Sequence, residues 1–126
     1  MIRDGYLARH RGAEYEAHPD DADMRLYSVD ASSAARGFEA LPGGRFRKVV
    51  PVAELDGAWY VFTLCTWRGV PCRVLYEHGA HLRVEYVGGQ APVAERLGFE
   101  PFDQGVYQAW APRAEAQAVR EQRIEL

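Results

Sequence analysis

Of the 126 residues, 48% are hydrophobic and 12% aromatic, which suffices for a packed interior and excludes an intrinsically disordered chain. The 18 acidic and 15 basic residues give a net charge of −3, so the basic excess typical of proteins that bind duplex DNA or RNA is missing. No run approaches the ~20 apolar residues that cross a bilayer, and the start of the chain has no apolar core of signal-peptide length. We therefore expect a cytoplasmic protein that folds as one compact unit without membrane contact.

Short alternating segments separated by turn signals predict β structure in the first half of the chain. Asp4-Gly5 and Gly12 mark turns, and residues 31–44 contain the serine, glycine and proline typical of a long connection. Residues 52–57 indicate a single helical turn that Gly57 stops. The strands predicted in this half are 6–11, 13–18, 24–29 and 45–50.

A long central strand is predicted from the sequence AWYVFTLCTWRG at 58–69, which ends the first half of the chain and begins the second. Pro92 and Gly98 predict a short helix near 92–98, because proline is favoured at the start of a helix and glycine after its end. The other strands predicted in this half are 70–77, with Val70, Cys72, Val74 and Tyr76 on one face, 82–87 and 106–111.

The last residues of the chain admit two interpretations. Residues 112–121 are rich in alanine, glutamate and glutamine and lack glycine, a composition with helical propensity. The repeat described next favours instead one turn and a last strand through 119–124. We predict a C-terminal helix at 112–121 and keep the turn and strand as the alternative.

An internal repeat relates the two halves of the chain. The segments GRFRKVVPVAE at 44–54 and GVYQAWAPRAE at 105–115 share the pattern G-x-aromatic-x-x-x-x-P-x-A-E. In the same order, HRG at 10–12 corresponds to WRG at 67–69, and MRL at 24–26 corresponds to LRV at 82–84. Since about 60 residues is near the lower limit for a separate core, we interpret 1–57 and 58–126 as two repeats that share the central strand.

The predicted order of elements in each half is four strands, one 3₁₀-like turn and a further strand. With this order and the repeated motif, the chain resembles a tandem SH3-like β-barrel protein and is similar to small uncharacterised proteins of high-GC actinobacteria. The resemblance implies a mainly β fold of two SH3-like barrels joined by the central strand. The acidic, aromatic-rich signature of eukaryotic SH3 domains is missing, so the resemblance does not imply recognition of proline-rich ligands, and fold analogy alone does not fix function.

Two histidines and two cysteines have the composition of a Cys2His2 zinc set. His78-x-x-His81 with Cys65 and Cys72 lacks the close cysteine pair of a zinc knuckle, so we predict no metal site. Both cysteines are expected to be reduced in the cytoplasm and to pack as small hydrophobic residues. A small enzyme or ligand carrier that uses Cys72 is kept as a weaker option.

Acidic residues cluster in the loop that contains Asp20, Asp21 and Asp23. The glycine and the terminal glutamate of a calcium-binding EF-hand loop are missing, which indicates a solvated loop. The chain offers neither paired carboxylates in an apolar setting nor a phosphate-binding glycine loop, so we predict no enzyme activity and no cofactor.

The aromatic residues distinguish the two repeats. Trp67 takes the place of His10 and Trp110 takes the place of Val49, so the second repeat carries additional large rings. Core packing accounts for such rings in many small β proteins. If they are exposed, tryptophan and tyrosine beside arginine are the residues expected at a protein-binding hot spot. The predicted partner-binding residues are Trp67, Arg68, Tyr107, Trp110 and Arg113.

Together these features predict a non-enzymatic protein-binding module. The specific hypothesis is an immunity-type inhibitor that blocks a toxin or an enzyme through one face of the second repeat. The alternative is a nucleic-acid or chromatin-associated SH3-like adaptor, which the acidic net charge disfavours. The sequence leaves open whether the repeats pair within one chain or exchange between two chains.

Overall fold

The structure is a computed structural model that describes residues 2–126, and strands account for most of it. This confirms the prediction of a mainly β protein. The strands are β1 Gly5–His10, β2 Ala13–Asp20, β3 Asp23–Ser28, β4 Glu39–Leu41, β5 Arg45–Pro51, β6 Gly57–Trp67, β7 Val70–His78, β8 His81–Tyr86, β9 Glu100–Asp103, β10 Val106–Pro112 and β11 Gln117–Glu125. The helical elements are α1 Ala91–Arg96 and the 3₁₀ segments Ala31–Arg36, Val52–Glu54 and Arg113–Glu115.

Two predictions about local structure have opposite outcomes. The short helix near 92–98 is present as α1, with proline in its first turn. The C-terminal helix at 112–121 is wrong, and the alternative of one turn and a last strand is confirmed, because the structure has a 3₁₀ turn at Arg113–Glu115 and the strand β11. Strand β11 pairs with β6, and the Leu126 N–H donates to the Ala58 carbonyl at 3.0 Å. Pairing with β6 gives the backbone of β11 hydrogen-bond partners, and this tertiary gain outweighs a weak helical propensity.

Contacts divide the chain into two compact units. The N-unit comprises Gly5–Tyr60 and Arg123–Leu126, and the C-unit comprises Val61–Gln122 and the amino-terminal residues up to Asp4. The long strand β6 therefore contributes residues to both units.

In the N-unit, antiparallel strands follow the order β4-β5-β3-β2-β1. Alternate residues of these strands point to one side, where they form the core with a phenylalanine from the connection before β4. The core residues are Ala8, Tyr15, Met24, Leu26, Phe38 and Val50.

In the C-unit, antiparallel strands follow the order β6-β7-β8-β10-β9. The core residues are Cys65, Trp67, Cys72, Val74, Leu82, Val84, Ala94, Phe99, Ala109 and Ala111. Within residues 2–126 the strand pairing is open and antiparallel. The predicted antiparallel β structure is therefore confirmed, whereas the predicted SH3-like barrels are not. No helix in this described part of the chain is long and apolar enough to cross a membrane.

Turns and caps at matching positions of the two sequence repeats have the same geometry. Arg11 and Gly12 join β1 to β2 with φ of 52° and 81°, and the matching residues after β6 have φ of 51° and 76°. These left-handed values favour glycine at the second position of each turn. The segment before β4 and helix α1 both end at a glycine with φ near 88°, followed by the buried Phe38 and Phe99. The repeated sequence therefore marks repeated backbone geometry.

Candidate functional site

The outer face of the C-unit brings together side chains from three neighbouring strands. Arg83 on β8 lies opposite Tyr76 on β7 and opposite Trp110 on β10. Leu82 and Val84 point into the core, so alternation along β8 directs Arg83 to the outer side. In the next row, His78 on β7 lies opposite His81 on β8. We call this set the Trp110 face, and it consists of Tyr76, His78, His81, Arg83 and Trp110.

A β-bulge places Tyr76 on this face. The register of β7 shifts between Val74 and Tyr76, so that Val74 is buried while Tyr76 is 52% exposed. The prediction that both residues share one face is therefore wrong, because the extra residue of a bulge reverses the alternation that follows it.

The rings of the Trp110 face contact one another and remain open to solvent. Trp110 is 43% exposed, and its ring meets that of Tyr76 edge to face with 5.8 Å between centroids. The ring of His78 lies 6.2 Å from that of Trp110. Trp110, His78 and His81 line a shallow, mostly apolar cavity of about 210 Å³. Edge-to-face packing holds the rings in place without burying them.

Arg83 is the buried polar group of the Trp110 face, with 7% of its surface exposed. Its Nε donates to Gln108 Oε1 at 3.1 Å, and its Nη2 lies 3.9 Å from Glu100 Oε2. Its guanidinium carbon lies 5.1 Å from the centroid of the Trp110 ring, at cation–π distance. Its Nη1 is buried and has no hydrogen-bond partner within residues 2–126. Such orphan donors are uncommon in folded proteins and call for an explanation.

Arg113 directly follows the end of β10, three residues after Trp110. Its side chain is half-exposed and forms an ion pair with Glu77 on β7. Its backbone N–H donates to the Ala80 carbonyl at 2.8 Å, which fixes the 3₁₀ turn against the hairpin between β7 and β8. The guanidinium is therefore held at the edge of the unit by a neighbouring carboxylate.

The other predicted site residues lie elsewhere in the C-unit. Trp67 is 3% exposed, packs edge to face against Phe99 at 5.3 Å and donates from Nε1 to Glu115 Oε1 at 3.2 Å. Arg68 covers the Trp67 ring at 4.3 Å and donates to a carbonyl at the end of α1. Trp67 is thus a core residue that Arg68 shields.

Tyr107 packs on the inner side of β10, against the core of the C-unit. Its hydroxyl donates to Glu95 Oε1 of α1 at 3.0 Å, and this hydrogen bond raises the pKa of Tyr107. Of the three predicted aromatic residues, Trp110 is therefore the one whose ring the structure places on the outer face.

Sequence reasoning overlooked Tyr76 and Arg83. The alternation of Leu82, Arg83 and Val84 was a usable signal, since it places Arg83 on the other face of the strand from two apolar residues. The bulge that exposes Tyr76 has no comparable signature in the sequence.

The two cysteines lie side by side in the core of the C-unit. Cys65 and Cys72 lie directly opposite each other on β6 and β7, and both are buried and free of disulfides. The Cys72 thiol donates a hydrogen bond to Cys65, and this bond, with burial, raises the pKa of Cys72, so its side chain stays a thiol at neutral pH. The same bond lowers the pKa of Cys65. Within residues 2–126, no three histidine, cysteine, aspartate or glutamate side chains are grouped so that they could hold a metal ion.

Comparisons with other proteins place the chain in a family. Searches of curated proteins and of solved structures returned no match. Residues 2–125 match the family described as "Uncharacterised conserved protein UCP033725". Because the match covers nearly the whole chain, the protein belongs to this family.

Proposed function

We propose that the protein is a non-enzymatic protein-binding module whose partner docks on the Trp110 face of the C-unit. The observation that carries this proposal is the exposed pair of Trp110 and Tyr76 beside Arg83, a buried arginine with an unpartnered Nη1. Tryptophan, tyrosine and arginine are the residues most enriched among those that dominate the binding energy of protein interfaces.

The chemistry of the face defines what a partner has to present. An apolar side chain would cover the rings of Trp110 and Tyr76, and an oxygen acceptor such as a carboxylate would meet Arg83. A buried donor without an acceptor costs about 1–3 kcal/mol, so an acceptor supplied by the partner recovers part of that free energy. Because Nη1 is covered in the unbound protein, a side-chain rotation of the kind common at interfaces has to open it.

The partner we propose is a toxin or an enzyme, which the protein covers in the manner of an immunity-type inhibitor. The support for this class is the small size of the chain and its net charge of −3, which favours association with a basic protein. The free thiols of Cys65 and Cys72 are consistent with a reducing compartment, and we place the protein in the cytoplasm.

We further infer that each unit is a variant of the SH3-like β fold. In the N-unit, a 3₁₀ turn follows the strands β1, β2, β3 and β5, and in the C-unit another follows β6, β7, β8 and β10. This order of strands and turns supports the likeness to the SH3-like fold.

The first experiment identifies the partner. The tagged protein is used to capture ligands from an extract of its native cells, with and without nuclease, and a protein that remains in stoichiometric amount is purified. Bound material that disappears with nuclease would favour the nucleic-acid or chromatin adaptor instead.

The second experiment tests the surface by calorimetry with the purified partner. Trp110→Ala is expected to weaken binding about 30-fold, equivalent to ~2 kcal/mol, because a hot-spot ring is removed. Val49→Ala is the matched control, since Val49 lies at the corresponding position of the N-unit and is 50% exposed. Equal affinity of the wild type and the folded Trp110→Ala variant would overturn the proposal.

A further inference from the structure

The N-unit contains a cavity at the place where Trp67 lies in the core of the C-unit. The cavity has a volume of about 260 Å³ and lies beside β1, β2, β5 and the 3₁₀ segment Ala31–Arg36. The lining residues that matter here are His10, Arg11, Tyr15, Arg36, Phe38 and Lys48.

Two residues that line this cavity differ from their counterparts in the C-unit. His10 takes the place of Trp67, and the turn that follows each of these residues has the same backbone geometry. Lys48 lies opposite Leu26, as Ala109 lies opposite Val84, so Lys48 and Ala109 also correspond. An indole fills the core of the C-unit at this point, whereas the smaller imidazole of His10 leaves space in the N-unit.

The cavity is lined by cationic groups that have no carboxylate partner. Lys48 Nζ donates to the Arg36 carbonyl at 2.9 Å, which leaves two of its three N–H bonds free for another acceptor. Arg36 donates from Nη2 to Ser33 Oγ at 3.1 Å. Within residues 2–126, Arg11, Arg36 and Lys48 form no ion pair.

His10 adds a neutral polar group to this cationic wall. It is 5% exposed, and in the described part of the chain neither of its ring nitrogens has a hydrogen-bond partner. Burial lowers the pKa of His10, and Lys48 and Arg11 lower it further, against a smaller opposing effect of Glu54 and Asp56. At neutral pH the imidazole therefore offers one donor and one acceptor.

We propose that this cavity is a binding site for a small phosphate monoester. The phosphate lies among Lys48, Arg36 and Arg11, and the N–H of His10 donates to one of its oxygens. The organic group packs against Tyr15 and Phe38, whose rings are 5.0 Å apart and form the apolar wall. Three unpaired cations match a dianionic phosphate better than a monoanionic carboxylate, since phosphate carries more charge and three acceptor oxygens. The volume of the cavity limits the ligand to a small molecule.

This site is separate from the Trp110 face, because all its residues belong to the N-unit. Binding of a phosphate monoester at this cavity therefore does not depend on the proposed protein partner.

The test uses phenyl phosphate as the probe, with calorimetry and the NMR signals of the histidine side chains as readouts. We expect saturable binding with one site per chain and a shift of the His10 signals. Lys48→Ala, which introduces the residue found at Ala109, is expected to weaken binding at least tenfold. Arg96→Ala on α1 of the C-unit removes the same charge outside the cavity and is expected to leave binding unchanged.

The comparison probes are benzoate and inorganic phosphate. We expect benzoate to bind at least tenfold more weakly than phenyl phosphate, and inorganic phosphate to shift the same His10 signals with lower affinity. Absence of saturable binding, equal affinity for benzoate, or an equal loss in Arg96→Ala would overturn the proposal. If Lys48→Ala does not fold, Arg36→Gln replaces it, because Arg36 is exposed and its loss leaves the core intact.

Discussion

The N-unit and the C-unit use the same order of strands and turns to present different side chains. Inside, the N-unit has His10 and Lys48 around an open cavity, whereas the C-unit has Trp67 and Ala109 in a filled core. Outside, the N-unit presents Val49 where the C-unit presents Trp110. The shared backbone fixes where side chains point, and the side chains decide whether a position fills the core, borders a cavity or lies exposed.

The two arginines at matching positions on the third strand of each repeat show the same divergence. Arg25 is partly exposed and pairs with Asp20 at 2.9 Å. Arg83 is buried beside Trp110 and retains an unpartnered Nη1. Arg25 already has a carboxylate partner, in an exposed ion pair of the kind that contributes little to stability. Because Arg83 Nη1 still lacks an acceptor, the C-unit is the better candidate for a contact surface.

The largest difference is expected on truncating the two residues at the matching core position. Trp67→Ala should lower the free energy of unfolding by about 3–5 kcal/mol, because it removes a buried ring and leaves a void. His10→Ala should lower it by less than ~1 kcal/mol, because the imidazole borders an existing cavity. Chemical denaturation of both variants measures the two values. Similar losses would contradict the assignment of a filled and an open core.

A smaller difference is expected for the two glutamates at matching positions of the 3₁₀ turns. Glu115→Ala should cost about 1 kcal/mol, because the indole N–H of Trp67 loses its acceptor. Glu54→Ala should change stability by less than ~0.5 kcal/mol, since within residues 2–126 no hydrogen bond joins the Glu54 side chain to a core ring. Thermal or chemical denaturation distinguishes these outcomes, and an equal cost would show that the Trp67 hydrogen bond is unimportant.

Introducing the core residues of the C-unit into the N-unit should raise stability by about as much as Glu115→Ala lowers it. The double variant His10→Trp and Lys48→Ala is expected to raise the free energy of unfolding by ~1 kcal/mol through cavity filling. It should also abolish binding of phenyl phosphate. A variant that still binds this probe would show that the site lies elsewhere.

The smallest effect is expected from pH. Since the pKa of His10 is lowered in the folded protein, the unfolded chain binds a proton more readily below about pH 6.5. Stability should therefore fall as the pH drops from 7.5 to 5.5, and His10→Gln should decline less over this range. Denaturation at the two pH values measures the difference, and parallel declines would exclude His10 as a contributor.

The sequence predicted the parts of the fold that depend on local patterns. The alternation along β8 and the bracketing of α1 by Pro92 and Gly98 correspond to observed elements. The motif shared by 44–54 and 105–115 corresponds to matching strands and 3₁₀ turns.

Other features depend on contacts that no local pattern encodes. The repeat favoured the strand that is observed as β11, whereas the local composition favoured a helix; the strand forms because β6 offers it a backbone partner. A bulge in β7 turns Tyr76 outward. The cavity beside His10 exists only because nothing else occupies the volume that Trp67 fills in the C-unit. Volumes of this kind are set by packing and are not readable from the repeat.

The most direct test of two separate binding sites is an NMR titration of one isotope-labelled sample with phenyl phosphate and, separately, with the purified protein partner. We predict that phenyl phosphate shifts the signals of His10 and Lys48 and leaves the indole N–H of Trp110 unchanged. We predict that the partner shifts the Trp110 indole and the signals of Tyr76 and leaves His10 unchanged. Shifts caused by both ligands in the same unit would contradict the division of binding between the N-unit and the C-unit.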